Sequence, residues 1–233
     1  MRNNMKKVIA ILAIALLLLV AACGKEDKEE NANKEVKPEE VTMDKDEVVD
    51  NNKVVVRIND KDITGDLYNA VYLQGKLRAV QFGQDISEKE KMKELALNEI
   101  IAQELIKQDA NKQGITVSEE DIQKEYDDLK SEDEKKFKEY LKQYKLTEKI
   151  VKEQILFTHI LNQYVDKEIQ IDEVTEEDAK EAYDKLKKEM DDIPKYEDAE
   201  STIKANLKQQ READALQVKV EELKETATIE KHI

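Results

Sequence analysis

The chain of 233 residues has one cysteine, two prolines, two histidines, five glycines and no tryptophan. A single Cys excludes an internal disulfide framework and every zinc site built on several thiolates. Five Gly are too few for a sandwich, a propeller or a Rossmann-like sheet, which depend on many tight turns and close backbone approaches. No Ser, His and Asp set, Gly-rich phosphate loop or metal-ligand cluster is visible, so no catalytic residue, cofactor or metal is expected. Positive charge is also scarce. Arg2, Lys6 and Lys7 lie in the first 22 residues, which carry no acid; the remainder sets 36 basic against 54 acidic residues, a net charge of −18. A body of that sign is repelled by nucleic acid and by anionic lipid. What remains is a mainly α chain.

There is one long apolar run. Arg2, Lys6 and Lys7 precede the fifteen residues Val8 to Ala22, which end on small residues directly before Cys23. A spanning helix needs about 20 apolar residues, so residues 1–22 read as the hydrophobic region of a secretory signal. The order Leu19-Val20-Ala21-Ala22-Cys23-Gly24 resembles a bacterial lipobox. That resemblance implies cleavage before Cys23 and a diacylglyceryl group on its sulfur. The alternative is an uncleaved anchor in which Cys23 is incidental. Both place the rest of the chain outside the cytoplasm, held at the cell membrane.

Residues 24–52 carry eleven acids, five lysines, one Pro and no aromatic residue. Such a stretch buries too little surface to fold, so residues 23–52 are expected to form the lipidated Cys and a disordered acidic tether. The folded body is expected over 53–233. It opens with the β-branched Val54-Val55-Val56-Arg57-Ile58 and the turn-prone Asn59-Asp60-Lys61-Asp62, which predicts a strand and a hairpin returning through Ile63. From Thr64 to about Glu225 the pattern is helical. Ser87, Ser118, Ser131, Thr147 and Thr175 stand at N-cap positions, and Gly114 at a C-cap. A final helix is predicted over about Glu197 to Glu225, followed by an alternating tail, Ala227 to Ile233, that reads as an edge strand.

Two helices are apolar on nearly all sides. Leu67, Tyr68, Val71, Tyr72, Leu73, Leu77, Val80 and Phe82 define the first; Ile150, Val151, Ile155, Leu156, Phe157, Ile160, Leu161, Tyr164 and Val165 the second. A helix of this kind is either surrounded by protein or offers a face to something else. The plain reading is a central core helix; the functional reading is an exposed apolar cradle.

The stretch Leu97-Asn98-Glu99-Ile100-Ile101-Ala102-Gln103-Glu104-Leu105-Ile106, with Ala110 and Gly114-Ile115-Thr116-Val117-Ser118-Glu119-Glu120-Asp121, resembles the N-terminal chaperone domain of the SurA and PrsA family of extracytoplasmic folding factors. Phe137, Leu141, Leu146-Thr147, Val151, Ile155, Val174-Thr175-Glu176-Glu177 and Tyr183 continue the pattern, as does Val56-Arg57-Ile58-Asn59-Asp60. The resemblance covers about residues 54–233. It implies a SurA N-terminal or trigger-factor-like helical domain whose first strand pairs with its last. In relatives a parvulin-type prolyl isomerase domain is usually inserted before the C-terminal helix. Here about a dozen residues, Lys187 to Tyr196, occupy that place, and no Gly follows Gly114. The insertion is absent.

The function this points to is an ATP-independent holdase whose partners are unfolded or nascent secreted polypeptides, with no nucleic acid and with the membrane reached through Cys23. Amphipathic rings bind varied peptides at low entropic cost, which selects Tyr68, Tyr72, Phe82, Phe137, Tyr140 and Tyr144 as client-binding residues. Two other readings stay open: prolyl isomerisation as in full-length relatives, and a scaffold or homodimeric adaptor for one envelope partner. His159, inside an apolar helical run, reads as a satisfied or interfacial imidazole, and His232 as a surface residue of the tail. Asp127, Asp128, Glu132, Asp133 and Glu134 read as a solvated acidic face.

Overall fold

The computed structural model describes residues 41–189 and 193–233; the expected signal segment, Cys23 and the tether as far as residue 40 lie outside the described residues. The β-branched run forms β1 (Val54–Ile58), which pairs antiparallel with β2 (Lys61–Thr64). Asn59, in the turn between them, takes φ 53°, a left-handed conformation that Asn tolerates better than most residues. Ile63 lies on the return arm opposite Val56, as predicted. The tail supplies β3 (Ile229–Lys231), antiparallel on the other edge of β1, so the sheet order is β2-β1-β3 and the first strand pairs with the last. Asn59 fastens this closure. Its N–H donates to the Thr228 carbonyl at 2.8 Å, and its side-chain oxygen accepts from the Thr228 N–H at 3.0 Å.

Seven helices are found among the described residues: α1 (Gly65–Gln81), α2 (Lys89–Lys112), α3 (Glu119–Glu132), α4 (Glu134–Gln143), α5 (Glu148–Glu168), α6 (Glu176–Glu189) and α7 (Tyr196–Thr226). Three predicted caps work as side-chain acceptors: Ser118 for the Asp121 N–H, Thr147 for the Ile150 N–H and Thr175 for the Asp178 N–H. Asp178 returns the favour to the Thr175 N–H at 2.8 Å, a complete capping box. Gly114, at φ 73°, follows the end of α2. Two predicted caps differ. Ser87 turns its hydroxyl to Asp85 and leaves Glu88 at the N-cap of α2. Ser131 sits in the last turn of α3, bonded to the Asp128 carbonyl, and Asp133 caps α4 because its carboxylate accepts the Lys136 N–H equally well.

The central helix is α2, which packs against α1, α5, α7 and β1. The core falls into three apolar clusters, two of which include residues of α2. The first joins the sheet, α1 and the N-terminal half of α2. The second joins the C-terminal half of α2 to Phe157, Ile160, Leu161 and Tyr164 of α5 and to Leu216 and Val220 of α7. The third holds Ile122, Tyr126, Leu129 and Phe137 of α3 and α4 against Ile150, Val151 and Ile155. Both of the helices that read as apolar on nearly all sides, α1 and α5, are therefore core helices. By contrast α6 packs on α7 and buries only Ala179, while the first half of α7 buries only Ile203, so these two form an arm with open faces.

Part of the expected tether belongs to the folded body. Val41 and Met43 are buried members of the first cluster, and Glu47 is buried beside them. The next residues cap α1. Its first N–H groups, on Gly65 and Asp66, donate to the carbonyls of Lys53 at 2.9 Å and Asn51 at 3.1 Å, filling donors that a helix start leaves open. Position 65 must be glycine, since a Cβ there would lie 2.1 Å from the Asp50 carbonyl oxygen. The folded body thus includes residues ahead of the expected boundary at residue 53. Composition hides this because a few apolar residues in an acidic stretch suffice when a neighbouring helix supplies the rest of the contact.

Candidate functional site

The six rings selected from the sequence divide into two groups. Tyr68 and Tyr72 are each 1% exposed, with ring centres 5.7 Å apart inside the first cluster, and Phe137 is buried edge-on to Tyr126 at 5.6 Å. These three are core residues in this conformation and none of them faces an open surface, unlike the cradle expected from the sequence. The expectation rested on a shortage of apolar residues to wrap α1; residues 41–49 make up that shortage. Burial, aided by the nearby Glu47 charge, pushes the Tyr68 hydroxyl up to about 12, so it stays neutral.

The other three rings reach the surface. Phe82 follows the last turn of α1 beside Gly83, whose φ of 67° turns the chain away, and it is 63% exposed. Tyr140 and Tyr144 are half-buried with ring centres 4.5 Å apart; both touch the third cluster, and Tyr144 also touches the first. A second half-buried ring pair, Tyr183 and Tyr196 at 5.4 Å, lies on the arm with the exposed Leu186 nearby in sequence. The sequence reading did not select the arm, although Tyr183 belonged to the pattern that identified the resemblance.

Residues 41–49 run along one face of α1, antiparallel to it. Asn69, Tyr72 and Lys76 lie on one stripe of that helix. Asn69 bonds the Val49 backbone through both its amide oxygen and nitrogen, at 3.0 and 2.7 Å. The Tyr72 hydroxyl donates to Glu47 Oε1 at 2.5 Å, and the Lys76 ammonium lies 2.9 and 3.0 Å from the two oxygens of that carboxylate. The same ammonium donates to the Thr42 carbonyl at 3.0 Å. Beyond α1, Lys89 pairs with Asp44 and Asp46 at 2.8 and 2.9 Å. Burial raises the pKa of Glu47, but the bonds from Tyr72, from the Asp44 N–H and from Lys76 outweigh it and hold the carboxyl below the usual range. Sequence reasoning missed Glu47 and Lys76. The available signals were the Val41-x-Met43 alternation and a lysine, Lys76, standing between the apolar residues Leu73 and Leu77.

An open cleft of about 370 Å³ lies between α3 and α5, lined by Thr116, Val117, Lys124, Glu125, His159 and Gln163 among others. His159 Nε2 sits 2.5 Å from Glu125 Oε2, so the imidazole is interfacial and partnered, as expected. His232 is exposed in the tail. Among the described residues no group of three His, Cys, Asp or Glu side chains is placed to hold a metal ion, and no helix is long and apolar enough to cross a membrane. The acidic face is solvated: Asp133 caps α4 and pairs with Lys136, Glu134 pairs with Lys138 at 2.7 Å, and Asp127 accepts from Gln123.

A helical body built round one central helix, closed by a small antiparallel sheet that pairs its first strand with its last, defines a mainly α protein. The family model described as the SurA-like N-terminal domain matches residues 1–165, from the chain start through most of α5. The chain belongs to that family, which is of the chaperone type. The arm and β3 follow the matched region. No curated protein matches the chain.

Proposed function

We propose that this protein is an ATP-independent holdase that binds unfolded or nascent secreted polypeptides, tethered to the outer face of the cell membrane by a diacylglyceryl group on Cys23. The observation that carries the reading is the set of rings left wholly or partly outside the core: Phe82, with the tilted pair Tyr140 and Tyr144. Aromatic rings at a half-wetted surface bind many peptide sequences, and rigid helices hold them at little entropic cost. The excess of acid over base supports the same reading, because a strongly charged carrier keeps an unfolded passenger in solution. Family membership supports it at the level of class.

Prolyl isomerisation finds no support. α6 ends at Glu189 and α7 begins at Tyr196, a link far shorter than an inserted domain. The test is suppression of aggregation. A client protein diluted from denaturant is followed by light scattering with and without the full chain and in the absence of nucleotide. Suppression at near-equimolar chaperone is expected, and unchanged scattering would overturn the holdase reading. The anchor is tested separately by mass spectrometry of membrane-extracted protein: a lipid-modified N-terminal cysteine is expected, and an unmodified Cys23 peptide would remove it.

A further inference from the structure

The cover over α1 is a non-helical piece of polypeptide with one turn, closed by the Glu47 N–H on the Asp44 carbonyl at 3.1 Å, and it is held as a bound peptide is held. Its apolar side chains at alternate positions, Val41 and Met43, enter the first cluster. Its Glu47 carboxylate is received by two groups of α1, the Tyr72 hydroxyl and the Lys76 ammonium. Its backbone is read at both ends, by Lys76 at the Thr42 carbonyl and by Asn69 at Val49. Such a binding mode uses main-chain bonds for affinity and alternate side chains for selection.

We infer that the α1 groove lined by Tyr68, Tyr72 and Lys76 is a polypeptide-binding groove, and that residues 41–49 fill it as a built-in pseudo-client that an unfolded client displaces. The inference rests on the holdase reading and names the class of segment this groove takes: non-helical chain with apolar residues two apart, then a turn that brings Asp or Glu, four positions after the second, onto Tyr72 and Lys76. The strap is attached, so it competes at high effective concentration and reserves the groove for clients that are abundant or bind at several points at once. Its displacement would uncover the two rings that the resting conformation hides. Asp44 and Asp46, paired with Lys89 in exposed positions, mark the part of the strap where release meets least resistance.

The experiment uses the full chain and two probes. The first is a fluorescein-labelled peptide with the sequence of residues 41–49, followed by anisotropy. A Val41→Ser, Met43→Ser, Glu47→Gln variant is expected to bind it at least ten-fold more tightly than the unaltered chain, and adding Lys76→Met to that variant is expected to abolish the gain. Equal binding by the unaltered and strap-weakened chains would overturn the inference. The second probe covers the case in which the variant fails to fold. Hydrogen exchange is measured on the unaltered chain with and without a permanently unfolded client, such as reduced and carboxymethylated α-lactalbumin. At least ten-fold faster exchange at the Val49 amide, with Ile155 unchanged, is expected. A client that crosslinks to the chain while Val49 exchange stays constant overturns the groove and leaves the holdase reading intact; a client that neither crosslinks nor is protected from aggregation overturns both.

Discussion

The Tyr72 hydroxyl donates to the Glu47 carboxylate at 2.5 Å, joining the first core helix to a stretch of chain that composition alone marks as tether. The bond is buried, and Lys76 completes it. Tyr72→Phe removes one of the charge-assisted bonds and leaves the ion pair, so a loss of about 1–2 kcal/mol is expected in urea unfolding.

Lys76→Met removes the partner of a buried charge. In a closed core that costs about 3–5 kcal/mol. Here Glu47 sits on a strand of chain that can leave, so the expected loss is smaller than that range and appears as faster exchange at Val49 with slow exchange retained in α5. Equal acceleration throughout the molecule would mean that the strap and the core unfold together.

Glu99 gives a pH signature. Burial pushes its carboxyl from the usual 4.5 up to about 7, against the pull of the Arg78 guanidinium 3.0 Å away. The folded state therefore holds this proton more tightly than the unfolded state does. The resulting stability is fully present below about pH 4.5 and is lost as the pH rises through 7. Between pH 5 and pH 8 the unaltered chain should lose stability relative to Glu99→Gln, by an amount on the order of 3 kcal/mol. Parallel stability curves for the two proteins would show that the carboxyl titrates normally.

The closing strand offers a fourth test. A chain ending at Ala227 loses the β1–β3 ladder, the two hydrogen bonds between Asn59 and Thr228 and the packing of Ile229 and Ile233 on the first cluster. The expected loss is about 2–4 kcal/mol by thermal or urea unfolding, with the far-ultraviolet helical signal retained.

Much of the fold is legible in the residues themselves. The β-branched run at Val54, the caps at Ser118, Thr147 and Thr175 and the Gly114 stop are local signals, and each acts within a few residues of itself. The pairing of β1 with β3 came through the family pattern, since a three-residue strand carries little signal of its own. What escaped the sequence depends on distant partners. Val41, Met43 and Glu47 look like tether until α1 is placed beneath them, and Tyr68 and Tyr72 look available until that cover is seen. Phe82 is exposed because its helix ends there, whereas the burial of Phe137 requires Tyr126 from the preceding helix, and neither fact is local to the ring itself.

The central claim is that rings left outside the core hold unfolded chains. It is tested most directly by replacing Phe82, and separately Tyr140, with a photo-crosslinking phenylalanine in the full chain. The variants are then irradiated with one client protein in its unfolded form and, in parallel, in its native form. Crosslinks from both positions to the unfolded client and none to the native one are the predicted result; no crosslink to either form, or equal crosslinking to both, would contradict the account.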